Sequence, residues 1–177
     1  IMGAVAAAKA LASSFSSIIQ TRSDFEKFEA VLTNTLGDKS IAQQSLKNLQ
    51  DFASRTPFSV IELTESFVKL VNQGFKPTMT QMESLGDLAA STGKGFDQLA
   101  EAIIDAQTGE FERLKEFGIR TQKEGDKVSF TFKGVKTQVD FTSKSIQDYI
   151  LSLGGAVGVS GSMAAISETL GGKVNNL

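Results

Sequence analysis

The sequence predicts a mainly α fold: a multi-helix array of short helices behind a long N-terminal helix, with one small β-hairpin. Three observations carry this. Apolar residues recur at helical spacing over most of the 177 positions, glycine stands where each period ends, and over about 127–141 the period switches to strict alternation.

Between Ala4 and Leu36, residues Leu11, Ile18, Phe25 and Leu32 recur every seven positions, and Phe15, Phe28 and Leu36 widen the stripe. That spacing predicts an amphipathic helix over 1–37, continuing from upstream sequence. Arg22 and Glu29 fall where a coiled coil needs apolar side chains, so packing within the chain's own domain is favoured over a self-associating coil. Residue 1 is Ile, and "SETLGGKVNNL" ends without a cap, which reads as a piece cut from a longer protein.

A compact helical domain is expected over 38–153. Gly37 ends the first helix and Asp38 is placed to cap the second, whose face is Ile41, Leu46, Leu49, Phe52 and Ala53, up to the corner "RTPF" with Pro57 and Phe58. Ser59 and Glu62 have capping-box spacing for a helix carrying Leu63, Phe67, Leu70 and Val71 and closed by Gly74. Thr80 and Glu83 predict the same box for a helix running to Thr92 and Gly93. "GFDQLAEAIIDAQTG" gives a helix ended by Gly109, and "EFERLKEFG" another ended by Gly118, so 59–118 reads as four short helices. Val128, Phe130 and Phe132, then Val135, Thr137, Val139 and Phe141, alternate with polar residues around Gly134, which predicts the hairpin. Thr142 or Ser143 caps a helix with Ile146, Tyr149, Ile150 and Leu153. Residues 154–177 read as a Gly/Ala-rich hinge and the start of a following helical segment.

Composition narrows the chemistry. A net charge of −2 leaves no cationic excess for phosphates, so no specific nucleic-acid site is expected. With no Cys and no His there is no thiolate, no imidazole base and no Cys or His ligand for zinc. No cofactor, metal site or catalytic residue is expected.

Individual signals agree. Glu110 and Glu112, two apart on a helix, point about 200° apart and cannot face one substrate. Glu112 and Glu116 share a face but have Arg113 and Lys115 beside them, while Phe111, Leu114 and Phe117 form the opposite, buried stripe. "STGKGF" (91–96) lacks the glycine spacing, the hydroxyl after the lysine and the preceding strand of a phosphate-binding loop, and reads as a helix stop and start. Gly154 and Gly158 have GxxxG spacing, but the apolar run around them is too short to span a membrane.

The ordered set "NLQDFASRTPFSVIELTESFVKLVNQGFKP", "LGDLAASTGKGFDQLAEAIIDAQTGEFERLKEFGI", "KVSFTFKG" and "SGSMAAISETLGGKVNNL" resembles the tape measure proteins of long-tailed bacteriophages and prophages, from about Phe25 to the end. The "TPF" corner at 56–58, the "TGEFERLKEFGI" block and the hairpin with "FTFKG" are its most specific parts, with Pro57, Phe58, Gly109, Phe111, Leu114, Phe117 and Gly118 as structural motif residues. The resemblance implies a virion structural protein in the tail lumen, made in the bacterial host cytoplasm, that helps set tail length and leaves the tube when DNA is delivered. It implies tail tube, tail tip and assembly chaperones as partners, leaves a homo-oligomer open, and confines any membrane contact to flanking regions. The frequent glycine stops depart from the family's ruler, and even a fully helical chain of this length would reach only about 270 Å. The expected object is a compact domain attached to a ruler. The alternative is a carboxylate-dependent hydrolase domain of a phage tail protein acting on cell-wall polymer; it requires Glu112 and Glu116 to line a concave pocket.

Overall fold

The computed structural model describes residues 22–169. By contact density the chain divides into two compact units, Ile1–Lys47 and Asn48–Leu177. Among the described residues the protein is mostly helical with a small antiparallel sheet.

In the first unit, helix α1 is described over 22–36; the rest of the long helix expected from Ala4 lies outside the described residues. Gly37, with φ 76°, turns the chain, and the Asp38 carboxylate accepts the Ile41 N–H at 2.9 Å to start α2 (Lys39–Ser54). Glu29 sits half-buried beside that turn, where Gln43 donates to it at 3.2 Å and Lys39 lies at 3.5 Å. The buried face of α2 is Ala42, Leu46, Leu49 and Phe52, and Ile41, expected on it, is 45 % exposed. Spacing explains this correction: 42, 46 and 49 follow the i, i+4, i+7 rule and 41 does not.

The second unit holds the helix array. Helices α3 (Val60–Asn72), α4 (Met79–Ser91) and α5 (Phe96–Gln107) all end on a glycine of positive φ at Gly74, Gly93 and Gly109. Each stop repeats one hydrogen-bond pattern: the glycine N–H reaches back three residues (Gly93 to Ala90 O, 3.1 Å) and the next N–H five (Lys94 to Ala89 O, 3.1 Å), which satisfies the last carbonyls of the helix. Two starts depart from expectation. The capping box of α4 is Thr78 with Gln81, not Thr80 with Glu83. A start at Thr78 puts the buried Pro77 and Met82 at the two positions of a hydrophobic staple; a start at Thr80 would put the half-buried Met79 and Ser84 there. At α3 the Ser59 hydroxyl accepts the Glu62 N–H at 3.1 Å, but the Glu62 carboxylate leaves the box and turns to α5.

The stretch "EFERLKEFG" is not an α-helix. Glu112–Phe117 forms a 3-10 helix closed by Gly118 at φ 73°. The apolar positions 111, 114 and 117 recur every three residues, which suits three residues per turn better than 3.6.

The expected hairpin has a third strand. β1 (Ile119–Glu124), β2 (Lys127–Phe132) and β3 (Val135–Asp140) form an antiparallel meander in that order. Two-residue turns join them: Gly125 has φ 65°, and Lys133–Gly134, with φ 49° and 80°, is a turn whose twist matches the strands. Ile119, Val128, Phe130 and Phe132 bury one face, and Arg120, Gln122, Glu124, Lys127, Lys136, Gln138 and Asp140 are exposed on the other.

Thr142 caps α6 (Ser143–Leu153), accepting the Ser145 N–H at 3.2 Å. A run of turns leads to α7 (Ser162–Ser167), and Val159 and Met163 are buried. Here the Asp87 carboxylate of α4 accepts the Gly161 N–H at 3.0 Å and the Met163 N–H at 2.9 Å, and Gly154 abuts Ser84. The part of the expected final segment beyond 169 lies outside the described residues.

Candidate functional site

The block 108–119 joins helix array to sheet. Gly109 turns the chain at φ 92° with the Phe141 ring 3.3 Å from where a Cβ would stand. Phe111, half-buried ahead of the 3-10 helix, meets Phe130 and Phe141 edge-to-face, both at 6.2 Å between centroids. Phe130 in turn stacks on Tyr149 of α6 at 4.4 Å and 8°. Leu114 and Phe117 are buried, and Gly118 leads directly into β1 beside Phe132. The other corner works similarly: Pro57 is exposed, while Phe58 is buried edge-to-face on Phe96, the first residue of α5, at 5.6 Å. Such pairs contribute about 0.5–1.5 kcal/mol beyond their buried area.

The charged side chains of the block are tied to one another. Arg113 reaches Asp105 at 2.7 Å, Lys115 reaches Glu112 at 2.9 Å, and Lys94 lies 3.9 Å from Glu116. Glu112 and Glu116 were expected on one helix face. In a 3-10 helix they stand about 120° apart, and the residue eclipsing Glu112 is Lys115. The side chain of Glu112 is 85 % exposed. An open cleft beside it is lined by Asp105, Glu110, Phe111, Glu112, Arg113, Lys115 and Thr121, and its one free buried polar atom is the Thr121 hydroxyl. Glu110 and Glu112, expected to point apart on one helix, therefore border the same cleft, because residue 110 lies ahead of the 3-10 helix and not on it. Two of its three carboxylates are tied to cations, Asp105 to Arg113 and Glu112 to Lys115, as suits a set that holds a helix corner in place, and the pair that the hydrolase alternative requires, Glu112 with Glu116, does not share this cleft.

Sequence reasoning missed two carboxylates that cap distant helices. The Glu62 Oε1 accepts the Phe96 N–H at 2.7 Å and the Asp97 N–H at 3.4 Å, so α3 supplies the cap that Gly95 cannot give α5 from its own side chain. Burial pushes the Glu62 carboxyl above its ordinary range and the adjacent Asp97 carboxyl adds to the rise, against the two N–H groups that lower it. Asp87 does the same for α7. Both carboxylates are occupied by backbone donors. The sequence signal was the absence of a capping side chain at Gly95 and Gly161.

Among the described residues no group of three His, Cys, Asp or Glu side chains could hold a metal ion, and no helix is long and apolar enough to cross a membrane. Comparisons with protein-family models, with curated proteins and with solved structures give no match for the chain.

Proposed function

We propose that the chain is a structural assembly domain of a phage tail tape measure protein, housed in the tail lumen and engaged with tail tube, tail tip and chaperone partners, without catalysis of its own. The carrying observation is the resemblance in order and spacing of the "TPF" corner, the "TGEFERLKEFGI" block and the "FTFKG" hairpin. Its support in the molecule is that these stretches sit at joints: Phe58 on α5, Phe111 on the sheet, and a strained turn at Lys133. Joints need particular residues at particular spacings, whereas a solvated helix face does not. Against the hydrolase alternative stand the lysine partners of Glu112 and Glu116.

The test is an in-frame deletion of residues 48–169 in the phage or prophage that encodes the chain, with virions inspected by electron microscopy. Loss of tails, or tails of altered length, is the expected result. Normal tails with normal DNA delivery would overturn the proposal.

A further inference from the structure

The sheet contains nearly the same strand twice. β1 reads Ile119-Arg120-Thr121-Gln122 and β3 reads Val135-Lys136-Thr137-Gln138, and both meet β2 in the same register: Ile119 and Val135 oppose Phe132, Thr121 and Thr137 oppose Phe130, and Gln122 and Gln138 oppose Ser129. Only the outer edges differ. β1 begins at fully buried Ile119, directly after the 3-10 helix, whereas β3 is exposed at every position except half-buried Val139. An open cleft runs beside that edge, between Thr137–Asp140 and the Asp148 and Tyr149 side of α6.

The backbone groups on this edge follow from the turn. In a two-residue hairpin the closing pair, here Phe132 and Val135, is hydrogen-bonded, so Val135, Thr137 and Val139 aim their amides at β2. Lys136, Gln138 and Asp140 therefore aim theirs outward. Rotated by 180° about Gln138, β3 is complementary to itself: Lys136 falls opposite Asp140 and Gln138 opposite Gln138, and each outward donor meets an outward carbonyl, of which the Asp140 carbonyl already accepts the Thr142 N–H at 2.8 Å and has its second lone pair to offer. The equivalent operation on β1, about Thr121, sets Ile119 opposite Lys123 and Arg120 opposite Gln122, with no charge match.

From this geometry we infer that the outer edge of β3 is a self-association site, where a second copy of this chain adds its own β3 antiparallel about Gln138. The contact is isologous and closes as a dimer. Asp140 already pairs with Lys127, and its second oxygen can take Lys136 of the other copy. One strand pair buries well below the roughly 1,200 Å² of a stable interface, so the dissociation constant is expected on the order of 0.1 to 1 mM.

Sedimentation velocity of the full chain up to about 1 mM, in low salt, tests this. Lys136→Asp and Asp140→Lys each place like charges across the contact and should weaken association by about tenfold or more. An equimolar mixture of the two variants should restore it, because both charged pairs across the contact between copies, 136 with 140 and 140 with 136, are then opposite in charge. Gln138→Pro removes one outward N–H without touching the bonds to β2, and should abolish the dimer while circular dichroism stays unchanged. A wild-type chain that stays monomeric throughout overturns the inference. So do variants that associate like the wild type, or a mixture that fails to recover while each variant remains folded.

Discussion

Gly74 and Gly93 in the helix array and Gly154 at the start of the turn-rich end are glycine for opposite reasons. At Gly74 and Gly93 the backbone has φ 85° and 68°, and a Cβ would meet nothing within 4 Å. These glycines are there for conformation. At Gly154 the backbone is ordinary, with φ −62° and ψ −23°, but a Cβ would stand 2.5 Å from the Ser84 carbonyl oxygen and 2.6 Å from its Cα. This glycine is there for space. A stop glycine is visible in sequence because it ends a period. A packing glycine is visible only once the neighbouring backbone is known.

That contrast orders the expected effects of substitution. Gly154→Ala should be the largest, because the obstacle is helix backbone that cannot move aside; overpacking of this kind costs about 1–3 kcal/mol. Thermal melting should show the loss, and limited proteolysis should cut first within 154–169. Asp87→Ala removes the carboxylate that holds Gly161 and Met163, and charge-assisted bonds of this type contribute about 1.5–3 kcal/mol when buried and less here, since Gly161 is exposed. Its melting loss should fall just below that of Gly154→Ala, with the same proteolytic signature. Gly93→Ala meets no atom and should cost only the left-handed backbone penalty, about 1 kcal/mol, without exposing 154–169. Gly86→Ala separates the two causes further. Its Cβ would collide with the Met163 sulfur and come within 2.9 Å of Cε, both ends of a flexible side chain, and alanine inside a helix returns about 0.5–1 kcal/mol. A melting temperature close to wild type is expected. If Gly86→Ala proved as damaging as Gly154→Ala, the distinction between rigid and yielding walls would fail.

The same distinction separates what could be read in the sequence from what could not. α3 and α5 were legible from apolar periods and glycine stops, α6 from its apolar period and its capping hydroxyl, and β2 and β3 from strict alternation. β1 was not, since "IRTQKE" carries one large apolar residue in six and its place in the sheet comes from pairing with β2. Its kinship to "VKTQVD" was the available signal. Thr78 and Thr80 both had a capping partner three residues on, and only the burial of Pro77 and Met82 decides between them. The 3-10 helix was hidden because positions 111, 114 and 117, although they fit three residues per turn better, also fall within one α-helical stripe. The caps from Glu62 and Asp87 join residues 34 and 76 apart in sequence, which local spacing cannot reveal.

The smallest effect concerns Glu62, where conformation and space meet. Gly95 starts α5 without a capping side chain, and both the Asp97 carboxylate and the Glu62 Oε1, the latter 2.9 Å from a Cβ position, crowd it. The Glu62 carboxyl is held above its ordinary value of 4.5, first by burial and then by Asp97, so the folded state binds its proton more tightly than the unfolded chain does. Its contribution to stability is therefore fully present below about pH 4.5 and is lost as pH rises through the raised value. Glu62→Gln keeps an oxygen to accept the Phe96 N–H and removes both the charge and the titration. Melting temperatures measured from about pH 4 to about pH 7 should show the wild type losing ground to Glu62→Gln as pH rises, with the Lys69–Glu101 pair nearby intact in both. A wild type that instead gains on the variant toward neutral pH would mean that the two backbone donors outweigh burial at Glu62, and that this cap is an ionic one.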